Sequence, residues 1–404
     1  MQGSGSYRYR WAILFAAFVA GMAGPIALFV MPPLFSALTS LPGVSLSDAG
    51  FAAMTSFGIG ISVMAIPFAI LSPRLGWKSA GIACLGTIML GAIITAGFPT
   101  IWGIFIGRFI AGLGYGMAFT WPVSALSVWF RKDEMGLATG IWSMTLPLSG
   151  LLIFVLAPVL IALSGWISVL WFSALFAAVS LVLWSVLARQ PAADDGMRYG
   201  GYFAEEREAC LSHDCIRSAF LDPDMWLVAV AWFAANYYLL GVTSLAPAYF
   251  TTIFGFDLFT ASVLAIVPVS MIIWASPVIG MLSDRFRTRR TFILASMAAG
   301  LLLCPAMFFL GPGLLPWALF FVVLGIVWGM TPAMAFASPR EIVGPEHAGP
   351  ASGILNLVVG LSALSAPLIT ENLVPVIGWQ GALVSTALPS VAGVIAMVKA
   401  KRLR

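Results

Sequence analysis

The chain has 404 residues, of which 61% are hydrophobic and 9% charged, with a mean hydropathy of +1.01 and a formal net charge of +4. Soluble domains average under half apolar residues, so this composition excludes a water-soluble globular protein and calls for a lipid surround. The pI near 9.0 is no argument for nucleic acid, because in a membrane protein the location of basic residues says more than their sum.

An apolar helix needs about 20 residues to cross a bilayer, which gives this chain room for about a dozen. Long continuous apolar runs favour helices over the alternating strands of a barrel. Residues 1–10 form a short polar start with Arg8 and Arg10 and lack the small-residue cleavage site of a removed signal peptide. The first six helices are predicted at 11–35, 50–71, 79–97, 101–128, 136–163 and 167–188. A polar segment, 189–224, follows with eight of the sixteen acidic residues and four arginines. Six more helices are expected at 226–251, 258–282, 291–310, 315–337, 350–370 and 378–398. The expected organisation is an N-terminal half over 1–188, a central loop over 189–224 and a C-terminal half over 225–404.

Basic residues fix the expected orientation. Arg8, Arg10, Arg74, Lys78, Arg131, Lys132, the central arginines, Arg285 to Arg290, Arg340 and the tail Lys399 to Arg404 all fall in loops on one side, and the opposite loops contain none. The positive-inside rule then places both termini and the central loop in the cytoplasm and the chain in the plasma membrane as a multi-pass protein. An internal repeat supports six plus six. Residues 136–141 (GLATGI) match 349–354 (GPASGI) at an offset of 213, and Gly112 and Gly116 match Gly325 and Gly329 at the same offset. Such repeats place a substrate path at their interface near the midplane.

The turn Gly280-Met281-Leu282-Ser283-Asp284-Arg285-Phe286-Arg287-Thr288-Arg289-Arg290 has a partial echo in residues 69–78, where Arg74, Gly76 and Lys78 are kept but Ala69 and Pro73 replace a glycine and an aspartate. This pair resembles the loop signature G-x-x-x-D-R-x-G-R-K of the major facilitator superfamily of secondary transporters. The resemblance implies an all-helical membrane fold of twelve helices in two halves, and transport by alternating access with no cofactor. It also implies a latch between helix ends at this side, built on Asp284, Arg285, Arg74 and Gly280, with Pro73 making the two halves unequal. Physically, Asp284 can accept charge-assisted hydrogen bonds that must break on opening; topology alone would need only the arginines.

Arg108 is the only basic residue inside a predicted helix, about 10 Å deep at 1.5 Å per residue from Ile101. Its surroundings, Arg108 to Gly114, also resemble the superfamily's fourth-helix motif R-x-x-x-G-x-G. An ionisable group at such depth reads as a substrate-anion anchor or a proton-relay neighbour, against a structural role bracing helices through backbone carbonyls. No carboxylate falls in the central third of any predicted helix; Asp48, Asp257 and Glu371 are expected at outer helix ends. That pattern favours uniport, anion exchange or a proton carried by the substrate over a dedicated carboxylate relay. Asn236, Tyr237 and Tyr238 near the midplane, Asn356, and Trp121 and Trp142 complete the candidate substrate-binding set, with packing as the competing role for the tryptophans.

Cys210, His213 and Cys215 do not have the spacing of a usual zinc site, and an amphipathic surface helix explains the segment better. No metal is expected. An intramembrane enzyme needs a placed nucleophile, an acid and base pair or metal ligands, and none is evident. The expected partners are a small-molecule substrate, foremost a small organic anion, the lipid bilayer and a coupled proton or counter-anion, with no nucleic acid and a monomeric state. The alternative is efflux of amphipathic compounds through the same fold, although the fifth helix lacks the G-P-x-x-G-G run of the superfamily's drug-proton antiporters.

Overall fold

The computed structural model describes residues 3–118, 120–130, 134–189, 220–286, 288–343, 348–400 and Leu403. The central Cys210, His213 and Cys215, most of the polar segment and His347 lie outside the described residues, as does the side chain of Asp284. Among the described residues every regular element is a helix. In chain order these are α1 Gly3–Phe29, α2 Phe35–Thr39, α3 Leu46–Gly50, α4 Ser56–Leu75, α5 Trp77–Gly97, α6 Ile101–Met117, α7 Trp121–Trp129 and α8 Met135–Ser143. There follow α9 Thr145–Ser164, α10 Ile167–Leu187, α11 Pro223–Phe254, α12 Leu258–Phe286, α13 Arg289–Leu303, α14 Leu314–Ile342, α15 Ala348–Ser385 and α16 Pro389–Lys399.

Ten helical stretches among the described residues are long and apolar enough to span a membrane. One of them, Ala351–Lys399, is divided where Gly378 adopts φ 74°, and the shorter Ile101–Met117 is followed in the chain by α7. Counting these as separate spans gives the expected twelve. The starts follow local chemistry. Thr100 accepts from the Gly103 N–H at the head of α6, and Asp222 accepts from Asp224 and Met225 at the head of α11. Asp257 does the same for α12 through Thr260, whose hydroxyl and N–H hold the Asp257 carboxyl below its usual range.

Several expected helices are broken. The first ends at Phe29, continues through a 3-10 turn, Pro32–Leu34, and resumes as α2. The second begins as α3, whose first turn is closed by reciprocal bonds between Ser45 and Asp48, and passes through a π turn, Phe51–Thr55, before α4.

Close packing uses glycine where backbones approach. Gly112 and Gly116 of α6 lie against Phe57 and Ile61 of α4, and their repeat partners Gly325 and Gly329 of α14 lie against Pro268 and Ala275 of α12. The repeat read in the sequence therefore makes equivalent contacts in both parts of the molecule. Between the parts, α4 and α15 run antiparallel along a seam of small residues. Gly58 meets the main chain of Ala363 and Leu364, Gly360 meets Ser62, and Gly353 meets Ala69. Thr55 in the π turn donates to the Leu364 carbonyl at 3.1 Å. The 3-10 turn after α1 touches α11, and α9 packs on α12 with Gly150 against Ile266. These last contacts, with Thr55, lie away from the basic loops.

Gly112→Leu puts a side chain into the main chain of Phe57 and is expected to cost about 1–3 kcal/mol. Gly86→Leu, which meets open space, should stay within about 0.5 kcal/mol of the parent. The unfolding midpoint in detergent checks the difference; equal midpoints for the two variants would contradict the packing.

Candidate functional site

Arg108 is 2% exposed, and its guanidinium is held by main chain rather than by acid. Nε donates to the Ala53 carbonyl at 2.6 Å and Nη1 to the Ala27 carbonyl. One acceptor lies at a helix end and the other in a π turn. Ala27 is within the last four residues of α1, whose carbonyls have no intrahelical donor. Ala53 sits in the π turn, where pairing shifts by one residue and the Ser56 N–H reaches Phe51. The guanidinium carbon lies 4.1 Å from the centre of the Phe57 ring, which itself stacks on Tyr115. Nη2 has no partner among the described residues, and Arg108 lines a small cavity with Thr95, Ala111, Leu170 and Ser173 inside the N-terminal part.

The other sequence candidates do not converge on this arginine. Trp121 packs on Trp184 with ring centres 4.5 Å apart, and Gly81 of α5 lies against both. Trp142 on α8 leans on Gly21 of α1. In the C-terminal part, Asn236 donates to the carbonyl of Trp232 one turn earlier at 2.8 Å, and Trp232 stacks on Trp328, whose indole N–H donates to Ala235 at 2.8 Å. Consecutive helix positions fan apart by about 100°, so Tyr237 packs on Phe233 while Tyr238 turns to Cys304 at the start of the 3-10 turn after α13. Asn356 is fully buried with neither amide atom partnered among the described residues. Trp274 is 72% exposed and so faces outward. Arg74 and Arg285 are exposed in the last turns of α4 and α12, and Gly280 lies in open space a turn and more earlier.

Glu371 departs from its expected place at a rim. The helix expected to end at 370 runs on to the break at Gly378, about 10 Å further at 1.5 Å per residue. Its carboxylate is 1% exposed, and neither oxygen has a hydrogen-bond partner among the described residues. It lies over Gly50 of α3, in the space that a Cβ there would fill.

A profile of the Major Facilitator Superfamily matches residues 13–367 and 271–403. The chain belongs to that superfamily. A probable sulfoacetate transporter, SauU, of Cupriavidus necator is 25% identical over 351 residues, 79% of each chain. The inner membrane transport protein YajR of Escherichia coli is 27% identical over 186 residues, 45% of this chain and 39% of that protein. A bacterial homologue of the human lysosomal transporter Spinster, inward-facing and unoccupied, has the same fold, with a TM-score of 0.79 at 15% identity over 98% of each chain.

In this superfamily member the bracing of Arg108 by backbone carbonyls, the competing role read from the sequence, is the geometry observed, while the identity of the acceptors, Ala27 and Ala53, carries no residue signature. Removing the guanidinium in Arg108→Ala strands the Ala27 and Ala53 carbonyls, at about 1–3 kcal/mol for each unsatisfied group. The variant should unfold earlier in detergent than Thr87→Ala, which removes an exposed hydroxyl bonded only within its own helix; equal midpoints would contradict the bracing role.

Proposed function

We propose that this multi-pass membrane transporter moves a small organic anion by alternating access between its two six-helix halves, with Arg108 supplying the attraction for the anion. The observation that carries this reading is the solvation of Arg108 by neutral carbonyls. Carbonyls satisfy N–H donors yet leave the formal charge uncompensated, and among the described residues no carboxylate is paired with it. An uncompensated cation in a low-dielectric surround attracts anions strongly.

Its position also bears on movement. The elements that hold the guanidinium are continuous with those that touch the C-terminal part: the 3-10 turn after α1 against α11, and the π turn against α15. Arg108 therefore stands one layer behind the contact between halves, and a bound anion that competes with the carbonyls would loosen that layer. The relative described as a probable sulfoacetate transporter supports the same class, since sulfoacetate is a small organic anion. In this reading the basic end faces the cytoplasm, and Asn356, with its unpartnered amide, is a further contact for substrate.

The test is the unfolding midpoint of detergent-purified protein against carboxylates, sulfonates, inorganic anions, sugars and lipophilic amines. A ligand at about 100 times its Kd adds about 2.7 kcal/mol. The expected result is a shift with one class of organic anion, at least tenfold weaker in affinity in Arg108→Gln. Shifts confined to lipophilic amines and kept in Arg108→Gln would overturn the anion reading in favour of amphipath export.

A further inference from the structure

Glu371 sits at a boundary between the two parts of the molecule, and among the described residues nothing donates to it. Its carboxylate lies over Gly50 on α3, next to the π turn Phe51–Thr55, so the contact joins the end of α15 to the start of the second membrane-spanning stretch. The polar neighbours on its own helix are spent locally: Thr370 donates to Ala366 at 2.7 Å and Asn372 to Leu368 at 2.7 Å. Glycine at position 50 is what makes room for the acid, since a Cβ there would occupy the place of the carboxylate.

The ionisable groups on elements packed against α15 are engaged elsewhere or distant. Asp48 on α3 is exposed and bonded to Ser45, through its N–H at 3.0 Å and its hydroxyl at 2.6 Å. On α11, Tyr249 accepts from Gln380 at 3.2 Å, Tyr237 packs on Phe233 and Tyr238 lies by Cys304, while Asp224 is at the opposite, basic end. On α6, Arg108 is held by carbonyls and Tyr115 stacks on Phe57. Arg74 of α4 and Glu341 of α14 belong to the basic end.

We propose that Glu371 is a proton-binding site whose occupation is required for the two halves to close at the end remote from the basic loops. An unpaired carboxylate buried away from water is unfavourable as the ion but acceptable as the neutral acid. Closing that end over Gly50 takes one proton from the water on that side onto a Glu371 oxygen. Opening it hydrates the group and returns the proton. The inference rests on the alternating-access reading and adds a dependence on protons that the substrate alone would not give.

The test follows the closed end directly, without substrate. With the native cysteines replaced, spin labels at Ser40→Cys and Thr252→Cys, both at exposed positions on that end, report the distance between halves in nanodiscs from pH 5 to pH 9. One linked proton allows the ratio of short to long distances to fall by up to tenfold per pH unit. The short-distance population is expected to dominate at low pH and give way to the long one as pH rises. Glu371→Gln should hold the short population at every pH, and Asp48→Asn should leave the parent's pH dependence in place. Distances that ignore pH in the parent, a response that survives in Glu371→Gln, or one abolished by Asp48→Asn would each overturn the proposal. Anion-dependent thermal shifts on the same samples separate the two readings. Anion binding with pH-independent distances overturns the proton site alone, whereas a Glu371-dependent response without anion binding upholds the site and overturns the anion.

Discussion

Inside a bilayer no water is at hand to satisfy a main-chain group that leaves the helical pattern, and this constraint organises the irregular parts of the molecule. The first spanning helix stops at Phe29, and the second passes through a π turn at 51–55. Arg108 from a third helix bonds a carbonyl at each of these places, Ala27 and Ala53. The arginine thus lets two helices be irregular at the same depth. Its charge is tolerated there because the carbonyls and the Phe57 face replace part of its hydration. The residue that braces the N-terminal part also leaves, among the described residues, an uncompensated positive charge within it, the charge to which the proposed anion is drawn.

The irregular segments are also those that face the other half. The 3-10 turn after α1 reaches α11, and the π turn reaches α15 through the bond from Thr55 to Leu364. From there the α4 and α15 seam continues through Gly58, Ser62, Ala69 and their small partners. Small residues let two backbones approach closely without interlocking side chains, which suits a contact that must be made and remade. At one end of this seam lies Glu371 over Gly50, the least comfortable group in the interface. With no donor to it among the described residues, the proposed closure of this contact depends on protonation of the acid.

Much of this architecture was legible in the sequence. Apolar runs marked the spans, the basic loops marked one end, and the offset of 213 residues between Gly112 and Gly325 foretold equivalent packing that the glycine contacts display. Breaks within the spans were not legible, because an apolar run reads the same whether its helix is continuous or interrupted, as where α6 ends at Met117 and α7 begins at Trp121. Arg108 stands out by its charge within an apolar run and by the R-x-x-x-G-x-G pattern that follows it. Glu371 is expected at a rim because the helix is read as ending at 370, yet it continues through Leu373 and Val374 to Gly378. Asn236, Tyr237 and Tyr238 looked like one cluster in the chain, but helical geometry spreads them over different neighbours.

A small organic anion drawn by a buried arginine is the cargo proposed for this superfamily transporter. Uptake of radiolabelled carboxylates and sulfonates into proteoliposomes containing only this protein tests it most directly. Saturable uptake of one such anion is expected, competed by its close analogues and indifferent to lipophilic amines. Proteoliposomes that accumulate lipophilic amines and no anion would contradict it.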